Sequence, residues 1–224
     1  MPTEPPVITS PPADPPSFDP GFRDRFADLL QWRRDVRHFR TDPLPPGLLP
    51  ELIDMAALAP SVGNSQPWRF VLVQSPEKRS LVIKNFETAN AQALAAYDGD
   101  RARLYAGLKL AGLREAPVHL AVFCDAGTAQ GHGLGRQSMP EMLEYSVVMA
   151  VHGFWLAARA ANLGCGWVSI LDPEQVRSDL ELPSPWRLVA YLCAGYEQEP
   201  SNVPELERLG WETRRPSETS IFRR

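Results

Sequence analysis

The spacing of apolar residues divides the chain into alternating helical and extended segments. Apolar side chains recur at helical intervals between positions 22 and 30, directly after Pro20, which predicts a first helix. A second helix is predicted over about 47–58, because prolines bound that segment on both sides. Residues 76–116 are rich in alanine and helical in character, with an interruption at the polar stretch YDGD, 97–100.

Four segments have the composition of β-strands. Each is rich in branched aliphatic and aromatic residues and is bounded by glycine, proline or aspartate. They are 68–75, 118–125, 166–171 and 186–196. Asp172–Pro173, directly after the third, predicts the N-cap and first turn of a short helix. Strands that alternate with helices predict a mixed α/β domain over 21–212.

The segment from Met139 to Leu163 is predicted to form a long helix that is apolar on nearly every face. Such a helix is buried on most sides, in the centre of a domain or in a subunit interface. An extensive apolar interface between two copies of the chain is therefore expected.

Both ends of the chain differ from the domain between them. Residues 1–20 hold eight prolines and little that could pack, which predicts a disordered or surface arm. The chain from Glu197 onwards is polar and punctuated by proline, so an extended tail is expected, with 213–224 beyond the domain.

Composition limits the function classes. An apolar share of 44% and a charged share of 22% are typical of a globular domain, and a net charge of −4 argues against a nucleic-acid partner. Cys124, Cys165 and Cys193 are far apart without metal-ligand spacing, which favours the reducing cytoplasm and no metal. The first residues lack a signal-peptide pattern, and the longest apolar stretch, 147–156, is too short to span a bilayer. No membrane partner is expected.

The stretch WRRDVRHFR, 32–40, concentrates positive charge around one carboxylate. Arg33, Arg34 and Arg37 lie within five residues, so their guanidinium groups can converge on one anion such as a phosphate. Taken alone, the stretch fits better with a solvated helix end, where basic residues complement the helix dipole.

Two loops have residues suited to a flat ligand. In APSVGNSQPWRF, 59–70, Asn64 and Gln66 can donate to and accept from the edge of a planar heterocycle, although such side chains also satisfy their own turns. In NLGCGWVSIL, 162–171, Gly164 and Gly166 permit close approach of the backbone to a ligand. Neither signal is specific alone.

In combination, RRDVRHF, APSVGNSQPWRF and NLGCGWVSIL occur in an order and spacing that resemble the FMN-dependent nitroreductase superfamily, over about 20–212. More narrowly, three marks are similar to the branch that makes the lower ligand of cobalamin. They are Asp35 within RRDVR, the helix MPEMLEYSVVMAVHGFWLAARA, and Ser169 within GWVSIL. A general nitroreductase usually has Arg-Arg-Ser where this chain has Arg34–Asp35, preceded by Arg33.

The resemblance implies an α+β, nitroreductase-like fold with a central mixed sheet flanked by helices. It also implies a homodimer with exchanged C-terminal tails, FMN at the subunit interface, and a lid over the flavin at about 85–112. The residues it places at FMN are Arg33, Arg34, Asp35, Val36, Arg37, Ser61, Asn64, Gln66, Gly166, Trp167, Ser169, Leu171 and Arg208. Ser61 is expected to reach across the dimer.

The implied reaction is the fragmentation of reduced FMN by O2 to 5,6-dimethylbenzimidazole and D-erythrose 4-phosphate. FMN is then a substrate, supplied in reduced form by an external flavin reductase. Asp35 and Ser169 are the implied catalytic residues; burial beside a reduced flavin would raise the pKa of Asp35. Alternatively, the arginines keep Asp35 ionised as a loop organiser. An NAD(P)H-dependent FMN nitroreductase and a flavin-binding protein without chemistry are the other functions that fit.

Overall fold

The computed structural model describes residues 14–107 and 112–224. Most of the proline-rich arm predicted over 1–20 therefore lies outside the described residues, and 14–19 are exposed. The described residues form eight α-helices: α1 Pro20–Trp32, α2 Leu48–Ala57, α3 Pro76–Leu94, α4 Gly99–Gly107, α5 Gly112–Glu115, α6 Met142–Ala160, α7 Pro173–Asp179 and α8 Glu205–Arg208.

Four strands form one sheet in the order β1-β2-β4-β3. They are β1 Trp68–Leu72, β2 Val118–Asp125, β3 Gly164–Val168 and β4 Trp186–Gly195. Each neighbouring pair is antiparallel. The expected α+β class is confirmed. Within the described residues, the mixed character of the sheet rests on one parallel bridge, between Asp35 and Cys165.

Short polar side chains begin several helices. Asp19 Oδ1 accepts a hydrogen bond from the Phe22 N–H at 2.6 Å at the start of α1. Asp172 Oδ1 accepts from two backbone N–H groups of α7, each at 3.0 Å, in front of Pro173. These bonds satisfy donors that a helix leaves unpaired. The predicted N-cap and first-turn proline of α7 are confirmed.

Two hydrophobic clusters pack on opposite faces of the sheet, because successive strand residues point to opposite sides. Leu120 and Val122 of β2 face the cluster that contains the buried residues of α6 and α2. Ala121 and Phe123 face the cluster that contains Phe39 and buried residues of α3 and α7. The predicted burial of α6 is confirmed on its sheet-facing side.

The predicted third strand is displaced. β3 begins at Gly164 and ends at Val168, so Ser169 and Leu171 follow the strand instead of lying in it. Glycine is depleted in strands, which is why the pattern placed the start later. Here a Cβ at Gly164 would clash with the side chains of Glu197 and Val36, and a Cβ at Gly166 would clash with the Val36 carbonyl oxygen.

The long helix is shorter than predicted at both ends. It spans Met142–Ala160, whereas the apolar pattern extended over 139–163. Asn162 adopts a left-handed φ of 59°, which a right-handed helix cannot continue. The first strand likewise ends at Leu72, because Pro76 already begins α3.

The chain after β4 folds back onto the chain after α1. Arg40 N–H donates to the Tyr196 carbonyl at 2.8 Å, and Gln198 N–H donates to the His38 carbonyl at 3.2 Å. We call residues 196–208 the C-terminal segment. Its antiparallel pairing with residues 38–40 places it beside the arginine-rich stretch.

Candidate active site

The segment Arg33–Arg37 lies along the outer edge of β3. Val36 N–H donates to the Cys165 carbonyl at 3.1 Å. A Cβ at Gly166 would lie 2.2 Å from the Val36 carbonyl oxygen. Glycine at 166 therefore lets two backbone segments meet where a side chain would clash. We call residues 33–37 together with β3 the arginine corner.

Asp35 is fixed in this corner by both carboxylate oxygens. Its Oδ1 accepts the Trp167 N–H at 3.0 Å, and its Oδ2 lies 3.4 Å from Arg37 Nε. Desolvation raises the pKa of this carboxyl, while the Trp167 hydrogen bond and the charges of Arg37 and Arg33 oppose that rise. The side chain is 42% exposed but opens into a cavity, with protein on its other sides. The pKa of Asp35 is therefore raised above that of an ordinary aspartate.

Arg37 carries an unsatisfied buried donor. Its side chain is 9% exposed, and its Nε lies 3.4 Å from Asp35 and 3.8 Å from the carboxylate of Glu205. Its Nη1 is buried and has no hydrogen-bond partner among the described residues. Leaving such a donor unpaired costs about 1 to 3 kcal/mol or more. The arrangement favours a bound molecule with an acceptor at this point.

Arg33 and Arg34 are held by aromatic and backbone contacts. The guanidinium of Arg33 lies over the ring of Trp155, 4.8 Å from its centroid. Trp155 Nε1 in turn donates to the Arg34 carbonyl at 3.2 Å. Nε and Nη2 of Arg34 donate to the Asn202 carbonyl at 2.9 and 2.6 Å. The two adjacent arginines thus point to different surroundings.

Two cavities join the arginine corner to the C-terminal segment. One of about 350 Å³ is lined by residues 34–38 on one side and by residues including Glu205 and Arg208 on the other. A second, of about 190 Å³, adds Arg33 and Arg214. Arg214 was not predicted as a site residue. It lies in the polar stretch ETRRP, where no local pattern places it near residue 34.

Ser61, Asn64 and Gln66 lie together in a different place, which we call the loop corner, residues 61–66. Gln66 N–H donates to Ser61 Oγ at 3.1 Å, and Gln66 Nε2 donates to Asn64 Oδ1 at 3.1 Å. Asn64 and Gln66 both adopt left-handed φ values, 52° and 43°. These side chains satisfy one another within a tight turn.

The two corners lie at opposite edges and opposite ends of the sheet. The loop corner precedes β1 and the arginine corner includes β3, and two strands separate these edge strands, a width of about 14 Å. Trp68 pairs with Cys124, whereas Gly166 lies level with His119, about 17 Å further along β2. One chain therefore keeps the two sets of predicted flavin-binding residues roughly 20 Å apart.

The remaining predicted residues follow the arginine corner along the chain. Gly166 and Trp167 line a small cavity that also contains Asp35. Ser169 is exposed directly after β3, and Leu171 packs partly buried against the core cluster of Phe123. The structure thus brings Gly166, Trp167 and Arg208 to residues 33–37. Ser169 and Leu171 lie beyond the strand, and the loop corner is separate.

The predicted lid over about 85–112 comprises the end of α3, α4 and the start of α5, with 108–111 outside the described residues. Tyr97 and Tyr105 stack with their ring centroids 5.0 Å apart. Trp211 packs edge-on against Tyr97 at 5.7 Å. The lid therefore contacts the chain just beyond the C-terminal segment.

The described residues include neither a candidate metal site nor a helix that could span a membrane. Within 14–107 and 112–224, no group of three His, Cys, Asp or Glu side chains could hold a metal ion. Over the same ranges, none of the helices is long and apolar enough to cross a membrane. All three cysteines are buried and unpaired.

Comparison with known proteins defines the class. Residues 30–196 match the model of the nitroreductase family, so the chain belongs to that family. It is 58% identical over 201 residues to a 5,6-dimethylbenzimidazole synthase of Rhodospirillum rubrum, covering 90% of this chain and 95% of that one. A protein of the same name from Rhodobacter capsulatus is 48% identical over 202 residues, covering 90% and 98%. The resemblance seen in the sequence is confirmed, and the chain is an enzyme.

A more distant relative has another name. A Thermus thermophilus protein called NADH dehydrogenase is 33% identical over 190 residues, covering 79% of this chain and 90% of its own.

Solved structures share the fold. An iodotyrosine deiodinase bound to FMN and 3-iodo-L-tyrosine is 26% identical with a TM-score of 0.66, covering 78% of this chain and 91% of that one. A nitroreductase-like protein from Streptococcus mutans is 16% identical with a TM-score of 0.69, covering 90% and 98%. The predicted nitroreductase-like fold is confirmed, and the first of these structures holds FMN.

Proposed function

We propose that this enzyme fragments reduced FMN with O2 to 5,6-dimethylbenzimidazole and D-erythrose 4-phosphate. The observation that carries the proposal is Asp35, a carboxyl with a raised pKa that opens into an arginine-lined cavity. A carboxylate among anion-binding groups weakens anion binding, so its presence there is best explained by proton transfer. The names of the relatives that are 58% and 48% identical support the same reaction.

The residues of the arginine corner fit FMN. The unpaired buried Nη1 of Arg37 can donate to the flavin, and the guanidinium groups of Arg33 and Arg208 supply positive charge for the phosphate. Reduced FMN, when bound, supplies the electrons that O2 accepts. Gly166 and Trp167 lie beside Asp35, where they would face the flavin ring.

Asp35 and Ser169 are the proposed catalytic residues. The Trp167 N–H holds Oδ1 of Asp35, which leaves Oδ2 to take up or release a proton near Arg37. Ser169 follows the same strand and offers a hydroxyl that can donate or accept. Substituting Asp35 and Ser169 one at a time would separate the role of the carboxyl from that of the hydroxyl.

A homodimer completes the site in this proposal. Because one chain keeps the corners roughly 20 Å apart, the loop corner of one subunit would meet the arginine corner of the other, with Ser61 reaching across. The outward face of α6 remains apolar, with Tyr145, Val148 and Met149 exposed by 51%, 38% and 48%. Such a face fits burial against a second copy. A monodisperse monomer at micromolar concentration in light scattering would contradict this part.

The test of the reaction is one aerobic incubation with chemically reduced FMN. Chromatography should detect 5,6-dimethylbenzimidazole at a substantial yield per FMN consumed, and a general flavin reductase should be needed only to supply reduced FMN. Recovery of all the FMN, with hydrogen peroxide as the reduced product of O2, would contradict the proposal.

The second candidate is NAD(P)H-dependent flavin reduction, favoured by the relative named NADH dehydrogenase. The proposed lid over 85–112 would exclude nicotinamide from the flavin. Steady NAD(P)H oxidation with a nitroaromatic acceptor and without loss of FMN would support this candidate over the first.

A further inference from the structure

Arg34 differs from its neighbours in what its guanidinium already binds. Nε and Nη2 both donate to the carbonyl of Asn202, 168 positions further along the chain. These two groups form the edge of the guanidinium that grips a phosphate or carboxylate with two parallel bonds. With that edge engaged by a backbone oxygen, Arg34 is less suited to grip a ligand than Arg37, whose Nη1 is unpaired.

The backbone of Arg34 is also anchored. Its carbonyl accepts the hydrogen bond from Trp155 Nε1, in α6, at 3.2 Å. The side chain is therefore a link between a fixed point on α6 and the carbonyl of Asn202. Desolvation lowers the pKa of Arg34, as do the charges of Arg214 and Arg33, yet an arginine stays protonated at neutral pH.

The contact with Asn202 is the last hydrogen bond in a series that joins the C-terminal segment to residues 33–40. Only the looser ion pair between Arg37 Nε and the Glu205 carboxylate, at 3.8 Å, lies beyond it among the described contacts. Closer to β4, this segment is held by Gln198, which donates through its backbone to His38 and through Nε2 to the Phe39 carbonyl at 2.8 Å. The next side-chain bond that joins it to residues 33–40 is that of Arg34. Beyond Asn202 the segment carries Glu205 and Arg208, which line the same cavity as Asp35.

We propose that Arg34 is a positioning residue that clamps the C-terminal segment at Asn202 and so places Arg208 over the cavity, rather than a direct ligand of the flavin. The proposal rests on the proposed function for the identity of the ligand. The clamp itself is a property of the protein alone. A residue that acts this way affects phosphate recognition through Arg208.

The first test is hydrogen exchange of the ligand-free protein, read by mass spectrometry over 199–211. Arg34→Met keeps the length of the side chain and removes its donors. Loss of a hydrogen bond from a charged donor should raise exchange of this segment by about 10- to 100-fold. The matched control is Arg33→Met. It removes the neighbouring cation, which lies over Trp155 and donates to no carbonyl of the C-terminal segment among the described contacts. Exchange of the segment in this variant should stay within about threefold of wild type.

The second test compares FMN with riboflavin, which lacks the phosphate. If Arg34 acts through the segment that carries Arg208, Arg34→Met should lower FMN affinity by about tenfold and leave riboflavin affinity nearly unchanged. Arg34→Lys, which keeps the charge and one donor, should restore part of both the protection and the FMN preference. If Arg34→Met only disturbed the structure of the site, the affinities for FMN and for riboflavin would fall equally.

Unchanged exchange over 199–211 in Arg34→Met overturns the clamp, as does equal loosening in Arg33→Met. If Arg34→Met does not fold, Arg34→Lys takes its place. Exchange over 199–211 equal to that of the wild type in Arg34→Lys would then overturn the proposal that the two donors of Arg34 hold this segment. Absence of FMN binding by the wild-type enzyme would instead contradict the proposed function, since the exchange measurement uses no ligand.

Discussion

The arginine corner and the loop corner are both polar, yet they leave different groups unsatisfied. In the loop corner, Ser61, Asn64 and Gln66 bond to one another, and the unpaired buried group is a neutral hydroxyl, Ser65 Oγ. In the arginine corner, the unpaired group is a guanidinium nitrogen of Arg37. A buried charged donor without a partner costs more than a neutral one, so a ligand gains more by pairing with it. The arginine corner should therefore dominate binding and chemistry, with the loop corner as a preformed wall.

The largest effect expected from this contrast follows Asp35→Asn. Asparagine still accepts the Trp167 N–H but exchanges no proton at neutral pH, so the yield of 5,6-dimethylbenzimidazole per reduced FMN should fall by about 10²- to 10⁴-fold. Asp42→Asn, an exposed aspartate paired with Arg40, is the matched control and should retain the yield. Product is measured by chromatography. A near-wild-type yield from Asp35→Asn would leave that carboxylate as a loop organiser.

The second effect concerns binding. Arg37→Met removes the unpaired donor, so FMN affinity should fall by about 10- to 100-fold, the usual range for a charge-assisted hydrogen bond. Arg40→Met removes an exposed arginine three residues further on and should change affinity by less than about threefold. Flavin fluorescence titration measures both. Equal losses in the two variants would mean that general positive charge, and not the Arg37 donor, governs binding.

The sequence predicts the elements of the fold well because their signals are local. The strand over 118–125 has the predicted bounds, and Asp172 with Pro173 begins α7 as expected. Both depend on residues within one turn or strand. The start of β3 was misplaced because Gly164 and Gly166 are chosen by the approach of residue 36, a contact between distant parts of the chain.

The site was harder to predict for the same reason. Local pattern singled out the arginines and the loop corner, but only the sheet order places them at opposite edges. The bond from Arg34 to the Asn202 carbonyl joins two segments that share no sequence signal, and Arg214 enters the site from the polar tail. Neighbouring arginines that look alike in the sequence therefore have different partners in the structure.

A third test breaks the arginine corner through its backbone. Gly166→Ala would place a methyl group 2.2 Å from the Val36 carbonyl oxygen. Because the backbone at Val36 would have to move, the free energy of unfolding should fall by about 1 to 3 kcal/mol. Gly153→Ala in α6 is the control, since its Cβ would meet Ala56 at 3.4 Å, an ordinary contact. Denaturant unfolding measures both. A fully stable Gly166→Ala would show that residues 33–37 are not fixed against β3.

A smaller effect should appear in the pH dependence of stability. Because desolvation raises the folded-state pKa of Asp35, ionising it disfavours the fold. The wild-type enzyme should lose stability relative to Asp35→Asn as the pH rises through that pKa, and the difference should level off below the unfolded-state value of about 3.9. The Asp35 side chain is 42% exposed, so solvent screens its charge and the effect should be modest. The melting temperatures of the two proteins are measured from pH 4 to 8. A constant difference between them over that range would contradict the raised pKa.

The smallest expected effect lies in the loop corner. Asn64→Gly removes the amide but keeps a residue that tolerates the φ of 52° there. A neutral hydrogen bond is worth about 0.5 to 1.5 kcal/mol, so FMN affinity should fall by about three- to tenfold if this amide contacts the flavin of the opposite subunit. Asn162→Gly makes the same change at another left-handed position, φ 59°, and should leave affinity unchanged. Titration of both variants with FMN, with dimerisation checked by light scattering, separates contact from assembly. A loss as large as that of Arg37→Met would reverse the proposed ranking of the two corners, and no loss would remove Asn64 from the site.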